Sequence, residues 1–266
     1  MKRADVWAIS TRKGGVLKTT IAVNMAGVLA KEGKKVLIVD MDSQGNVLVS
    51  FGKNPDKIKY STYDVLMGNL QGDDIEKAFI SVHKNIDVLS ANDDMLDFDF
   101  EVIPNKERFP RPFNLLKESM SHFLYDYDVI IIDTPPNFGL IQGNALMFAN
   151  RVIVPFQPES YSMRALVKII ESVDHFAKQY NKDLQLLGIV ATLVDMRTSL
   201  HCEIMESVRK FCRKNDIPLM HTIIPKSIRY AASISYQKKP MTLAKPNHQL
   251  SEHFFELYEE VQYYVN

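Results

Sequence analysis

Lys13-Gly14-Gly15-Val16-Leu17-Lys18-Thr19-Thr20 stands between an apolar run, Val6 to Ile9, and a helix-patterned stretch, Ile21 to Ala30. Strand, glycine-rich turn and helix start, in that order, build a cradle for phosphate. Backbone N–H groups and the helix N-terminus face the anion, a lysine reaches the β and γ phosphates, and a hydroxyl binds Mg²⁺. Lys18 and Thr19 occupy the positions for those last two roles. The usual spacing, G-x-x-x-x-G-K-[ST], is altered here: Leu17 replaces the second glycine, and an extra lysine, Lys13, sits at the front. An ordinary Gly-Gly turn with surface lysines is the competing reading of these eight residues.

Outward from this loop, short β-branched runs alternate with helix-length segments. Strands are predicted at Val6 to Ser10, Val36 to Asp40, Ile86 to Leu89, Val129 to Asp133, Val152 to Pro155, Leu187 to Leu193 and His221 to Ile224. Seven such strands separated by helices imply an α/β fold, a doubly wound and mostly parallel sheet covered by helices on both faces. Val129-Ile130-Ile131-Ile132 has no polar alternation, as expected of a central strand buried on both sides. The acid- and proline-bearing stretch from Asn92 to Pro112 reads as an exposed irregular excursion. Without repeat, linker or low-complexity tract, residues 1–266 are expected to form one P-loop domain.

Two further motifs leave strands at the same end of such a sheet. Val39-Asp40-Met41-Asp42-Ser43-Gln44-Gly45-Asn46 follows the second strand, and carboxylates leaving that end line the ligand crevice of a doubly wound sheet. Val129 to Asn137 reads V-I-I-I-D-T-P-P-N, so Asp133 can hold a Mg²⁺-bound water while two prolines stiffen the next turn. Three motifs in this order make a nucleotide site the better reading.

Together they resemble the ParA/MinD family of ATPases, with its deviant Walker A loop K-G-G-V-x-K-T-T and the V-D-x-D-x-Q-G-N of its ParA members. The resemblance runs from Val6 to about Leu257. It implies that Lys13, Gly14, Gly15, Val16, Leu17, Lys18, Thr19 and Thr20 bind ATP, and that Lys13 contacts the nucleotide held by the opposite subunit of an ATP-dependent homodimer. It further implies that Asp42 orients the attacking water, so that Lys13, Lys18 and Asp42 carry catalysis, and that Thr19, Asp133 and Asp40 support Mg²⁺. Thr192 and Pro225 match positions that flank the adenine. Family members carry glycine where Leu17 stands, and a side chain there demands its own backbone angle. Another departure follows Arg229, where Tyr230-Ala231-Ala232-Ser233 replaces the common S-E-A-P.

Net charge is zero, yet it is unevenly spread: residues 55–101 carry a net of minus seven and residues 197–251 a net of plus seven. Glu203 to Asn215 reads as a helix with Ile204, Val208, Phe211 and Cys212 facing the core and Arg209, Lys210, Arg213 and Lys214 outward. By the family resemblance those four residues and Arg229 contact double-stranded DNA without sequence preference, and a ParB-like centromere-binding protein triggers hydrolysis. A solvated helix face is the plainer alternative.

The expected function is an ATP-dependent DNA-segregation ATPase, cytoplasmic and nucleoid-associated. A first strand beginning by Val6 leaves the expectation of no N-terminal helix-turn-helix module. A MinD-like membrane-cycling ATPase is the alternative, but Leu250 to Asn266 carries four glutamates and no Lys or Arg, so no membrane partner is expected. Cys202 and Cys212, ten apart on one predicted helix, supply neither a disulfide framework nor a CxxC site and read as small buried or half-buried residues.

Overall fold

The computed structural model describes residues 2–137, 139–244 and 249–265. The strands are β1 (Asp5–Ile9), β2 (Val36–Asp40), β3 (Phe79–His83), β4 (Ile86–Leu89), β5 (Val129–Asp133), β6 (Arg151–Phe156), β7 (Gln185–Val194) and β8 (Leu219–Pro225). The longer helices are α1 (Lys18–Lys31), α2 (Leu140–Phe148), α3 (Ser162–Gln179), α4 (Ser199–Lys214) and α5 (Gln249–Val265). The eight strands form one sheet in the order β3-β4-β2-β5-β1-β6-β7-β8. All pairings are parallel except β3 with β4.

Alternate residues of each central strand enter different cores. Val6, Ala8, Leu37, Val39, Ile130 and Ile132 pack toward the side of α2, α3 and α4, while Trp7, Ile9, Val36, Ile38, Val129 and Ile131 pack toward α1 and α5. Burial on both faces is why these runs are continuously apolar. On the second side α1 is buried nearly all round, and Gly27 permits it: a Cβ there would collide with the Thr242 hydroxyl. Thr242 in turn donates from its amide to Asn24 Oδ1 and from its hydroxyl to the Asn24 carbonyl, both at 3.0 Å.

The seven predicted strands are present, and an eighth, β3, is added at the sheet edge. Residues 92–112, expected to be irregular, instead contain a 3-10 turn at Asp93–Leu96 and a short helix at Phe98–Val102, because Met95, Phe98, Val102 and Phe109 are buried in the core.

At the other edge, β8 bulges against β7 between Leu219 and Ile223. The carboxylate of Glu260 on α5 accepts from the amides of His221 at 2.6 Å and Thr222 at 2.7 Å, and from the Thr222 hydroxyl. Hydrogen bonds to a charged acceptor contribute about 1.5–3 kcal/mol where their loss strands a buried donor. Here the bond from His221 is exposed and those from Thr222 are only partly buried, so water replaces much of the loss. Glu260→Ala is therefore expected to cost about 2 kcal/mol and to lower Tm by roughly 5 °C. Urea titration with an unchanged m-value would check that the loss is one of stability alone.

Candidate functional site

The carboxyl ends of β1, β2 and β5 lie side by side, with Ile9 opposite Asp133 in one register and Asp40 opposite Asp133 in the other. Three sequence motifs far apart in the chain thus meet at one rim. Thr134 ties the rim together by donating to the Ile9 carbonyl at 2.9 Å, and Met41 donates its amide to the Asp133 carbonyl at 2.9 Å.

The loop after β1 exposes Gly14 and Gly15 and buries Val16. Gly15 takes φ +72°, and Leu17 takes φ +66°, ψ +28°, the left-handed conformation that closes the turn before α1. Leu17 thus adopts the angle a glycine would adopt, at a cost of about 1–2 kcal/mol for an L side chain, partly offset where it packs on the α1 side of the core. The first turn of α1 carries no acid and no side-chain cap, so its N–H groups and dipole remain directed at an incoming anion. Thr19 and Thr20 are half-buried in that turn.

Lys18 is only 7% exposed. Burial pushes its ammonium below the usual lysine range, while the carboxylates of Asp133 and Asp42 pull it back up. Asp133 accepts from the Thr19 hydroxyl through Oδ2 at 2.5 Å, and its Oδ1 is buried without a hydrogen-bond partner. A hydroxyl and a carboxylate with a spare oxygen are hard donors suited to Mg²⁺, which takes one or two protein oxygens and leaves its other positions to water and phosphate.

Asp40 stands at the carboxyl end of β2, as expected, with both of its oxygens engaged by backbone amides. It is fully buried, with Oδ1 accepting from the Asp42 amide and Oδ2 from the Val47 amide, each at 3.0 Å. Both oxygens therefore hold the loop that carries Asp42, which is only partly buried and accepts from Gln44 N at 3.2 Å. Burial first, and then the neighbouring Asp133, raise Asp40 well above the ordinary carboxylate range.

Burial likewise pushes Asp133 up to about 7, opposed by the Thr19 hydroxyl and Lys18 and aided by Asp42. A folded value above the unfolded one means that stability from this group is full below about 3.8 and lost as pH rises through about 7. The nucleotide-free protein is expected to lose Tm between pH 5 and pH 8. Asp133→Asn should flatten that slope and melt higher than wild type at pH 8. Melting curves in nucleotide-free buffer check both points.

Lys13 projects from the front of the loop. Its Nζ lies 3.0 Å from Gln157 Oε1 and 2.5 Å from Glu159 Oε2, both on the segment leaving β6. Neither partner is singled out by the sequence motifs. The available signal is topological, since polar residues directly after a strand adjoining β1 emerge at the same rim. Gln142 on α2 likewise escapes the motifs; its side-chain amide donates to the Ser10 hydroxyl just ahead of the loop.

Thr192 and Pro225 do come together, at the carboxyl ends of β7 and β8. A cavity of about 450 Å³ beside them is lined by Val194, Met196, Arg197, Pro225, Lys226 and His253. The Thr192 hydroxyl, however, is fully buried and donates to the Phe156 carbonyl at 3.3 Å. That hydroxyl is therefore already engaged by β6. Pro225 is half-buried at the cavity wall.

On α4, Met205, Val208 and Cys212 are buried and Ile204 and Phe211 half-buried, while Arg209, Lys210, Arg213 and Lys214 are exposed. Lys210 pairs with Glu206 at 2.6 Å. Arg229 is exposed on the short helix Arg229–Ala232. Cys202 is half-buried and Cys212 buried, both as free thiols.

Residues 4–186 match the model of the AAA domain family. The chain is 35% identical over 254 residues to the sporulation initiation inhibitor protein Soj of Bacillus subtilis, with 96% of each chain covered. It is 32% identical over 265 residues to a ParA family protein of Mycoplasma pneumoniae, again with 96% of each covered. Among solved structures, a protein from Mycobacterium smegmatis described as cobyrinic acid a,c-diamide synthase, with bound ADP and magnesium, is 31% identical and superposes with a TM-score of 0.75 over 84% of this chain and 87% of that one. With the phosphate loop, the two acidic strand ends and this likeness along nearly its whole length, the chain belongs to the ParA family, on a P-loop fold whose relatives are seen with nucleotide and magnesium.

Proposed function

We propose that this chain is a DNA-partition ATPase in which ATP binding closes a homodimer, the dimer binds double-stranded DNA without sequence preference, and a ParB-like centromere-binding partner stimulates hydrolysis and release. The observation that carries the reading is the Lys18, Thr19 and Asp133 cluster at the open head of α1, with Asp42 beside it. Lys18 and the loop amides would hold the β and γ phosphates, and Asp42 would orient water for in-line attack. Thr19 and Asp133 would hold Mg²⁺, which supplies charge neutralisation at the phosphates. Intrinsic hydrolysis would be slow, because Lys13 completes the charge stabilisation only across the dimer. The protein would work in the cytoplasm, on the nucleoid.

The membrane-cycling alternative has less support. Phe254, Leu257 and Val261, the apolar side of α5, are buried against α1 and β8 rather than offered to a surface. No helix among the described residues is long and apolar enough to cross a membrane.

The test is binding to long duplex DNA with ATP, with ADP and without nucleotide, for wild type and Lys13→Ala. Wild type is expected to bind only with ATP. Lys13→Ala is expected to keep ATP binding, lose ATP-dependent DNA binding and slow hydrolysis roughly 100-fold or more. Unchanged ATP-dependent DNA binding by Lys13→Ala would sink the dimer mechanism.

A further inference from the structure

The segment from Asp93 to Ile103 carries two apolar stripes. Met95, Phe98 and Val102 are buried in the core, whereas Leu96, Phe100 and Ile103 are 60%, 80% and 57% exposed. The first stripe already anchors the segment, so the second has no folding role to explain it. Asp93 and Asp97, both exposed, stand three residues before Leu96 and Phe100 and flank the outer stripe. The result is an apolar ridge bordered by acids.

Beside this ridge runs a groove of about 1130 Å³ between residues 102–113, α2 and α3. Its walls include Phe109, Phe113, Leu140 and Phe176. Lys106 and Lys168 stand in its lining, and neither has an acid partner within ion-pair distance among the described residues. Among the described residues Glu171 is the one acid in the lining. Ridge and groove are therefore complementary in both respects: an acid-flanked apolar strip and a basic apolar trough.

We infer that the groove takes the Leu96–Phe100 ridge of a second copy of this chain. Ile103 belongs to both features, ending the ridge and lining the groove. Because the two adjoin, a two-fold axis beside Ile103 would seat each ridge in the other copy's groove and close the pair, as an isologous contact requires. The proposed contact would form without nucleotide and without Lys13, which distinguishes it from the ATP-dependent dimer proposed above, and it does not rest on that reading.

Sedimentation velocity of the nucleotide-free full chain over a wide concentration range tests it. A monomer–dimer equilibrium weakened by salt is expected, and unchanged in Lys13→Ala. Leu96→Ser with Phe100→Ser, both exposed, should weaken it roughly tenfold or more without lowering Tm. Lys106→Glu with Lys168→Glu should abolish it, and so should Asp93→Lys with Asp97→Lys, since each puts like charges on ridge and groove. Mixing those two charge-reversed chains makes both contacts complementary again and should restore a heterodimer. A wild-type chain monomeric throughout would overturn the inference, leaving the groove to an acidic segment of some other protein. A dimer indifferent to these changes, or no rescue on mixing, would overturn it equally.

Discussion

Lys18→Ala is expected to lower kcat/KM for ATP by roughly 1000-fold or more, with most of the loss in nucleotide affinity. The size follows from the surroundings of the ammonium. Lys18 is buried at the head of α1, where the carboxylates of Asp133 and Asp42 favour its charged form. Removing it would take away the cation proposed to reach the phosphates and would also leave those acids uncompensated at the place where a tetra-anionic nucleotide would dock. Lys18→Arg should rescue little, because a planar guanidinium needs more room than a buried ammonium on a straight stem. Thr19→Ala should fall between, since it removes one proposed Mg²⁺ donor and the 2.5 Å bond to Asp133 but leaves the charge balance intact. Isothermal titration with a non-hydrolysable ATP analogue and single-turnover hydrolysis separate binding from chemistry. Near-normal hydrolysis by Lys18→Ala would remove this loop from the active site altogether.

The parts of this architecture that are legible in the sequence are those where one local pattern meets one physical demand. Val129 to Ile132 has to be central because no polar residue interrupts it, and it pairs with both β1 and β2. The phosphate loop is legible because its lysine and hydroxyl stand at the head of a helix and two acid-ended strand motifs follow it in order. β3 escapes because its residues are half-buried or exposed and alternate little, and its antiparallel pairing with β4 is made by the turn at Lys84-Asn85 rather than by its own composition. The acidic stretch after Asn92 reads as irregular because its aspartates outnumber the buried anchors Met95, Phe98 and Val102. Thr192 differs for another reason. Its position at the strand end is as expected, but the direction of its side chain depends on β6, whose Phe156 carbonyl receives the hydroxyl. Gln157 and Glu159 lie 144 and 146 residues from Lys13, so only the topology could bring them to it. Leu17 shows that a motif can keep its backbone path while changing the residue that bears it.

Replacing Arg209, Lys210, Arg213 and Lys214 together by alanine is expected to reduce the slope of log K against log salt for duplex DNA by roughly 3–4, since each neutralised phosphate contributes about 0.9. All four are exposed on one helix whose other side is fixed in the core by Met205, Val208 and Cys212, so a duplex would meet a rigid row of cations. Lys210 would be the weakest contributor of the four, because its partner Glu206 at 2.6 Å must be given up first. Exposed pairs of that kind are worth under about 1 kcal/mol, so the contact is reduced rather than lost. Arg213 and Lys214 also stand in the last turn of α4, where cations favour the helix dipole by about 0.3–1 kcal/mol each. A structural role for them predicts a lower Tm with an unchanged salt slope; a role in DNA binding predicts the reverse emphasis. Arg229→Ala, made separately, should lower the slope by about one if that residue reaches a phosphate. Measuring the slope with ATP present, alongside Tm and DNA-free hydrolysis, tells the cases apart. A quadruple variant that bound DNA with the wild-type salt dependence would return this face of α4 to solvent and place the polyanion elsewhere on the positively charged C-terminal region.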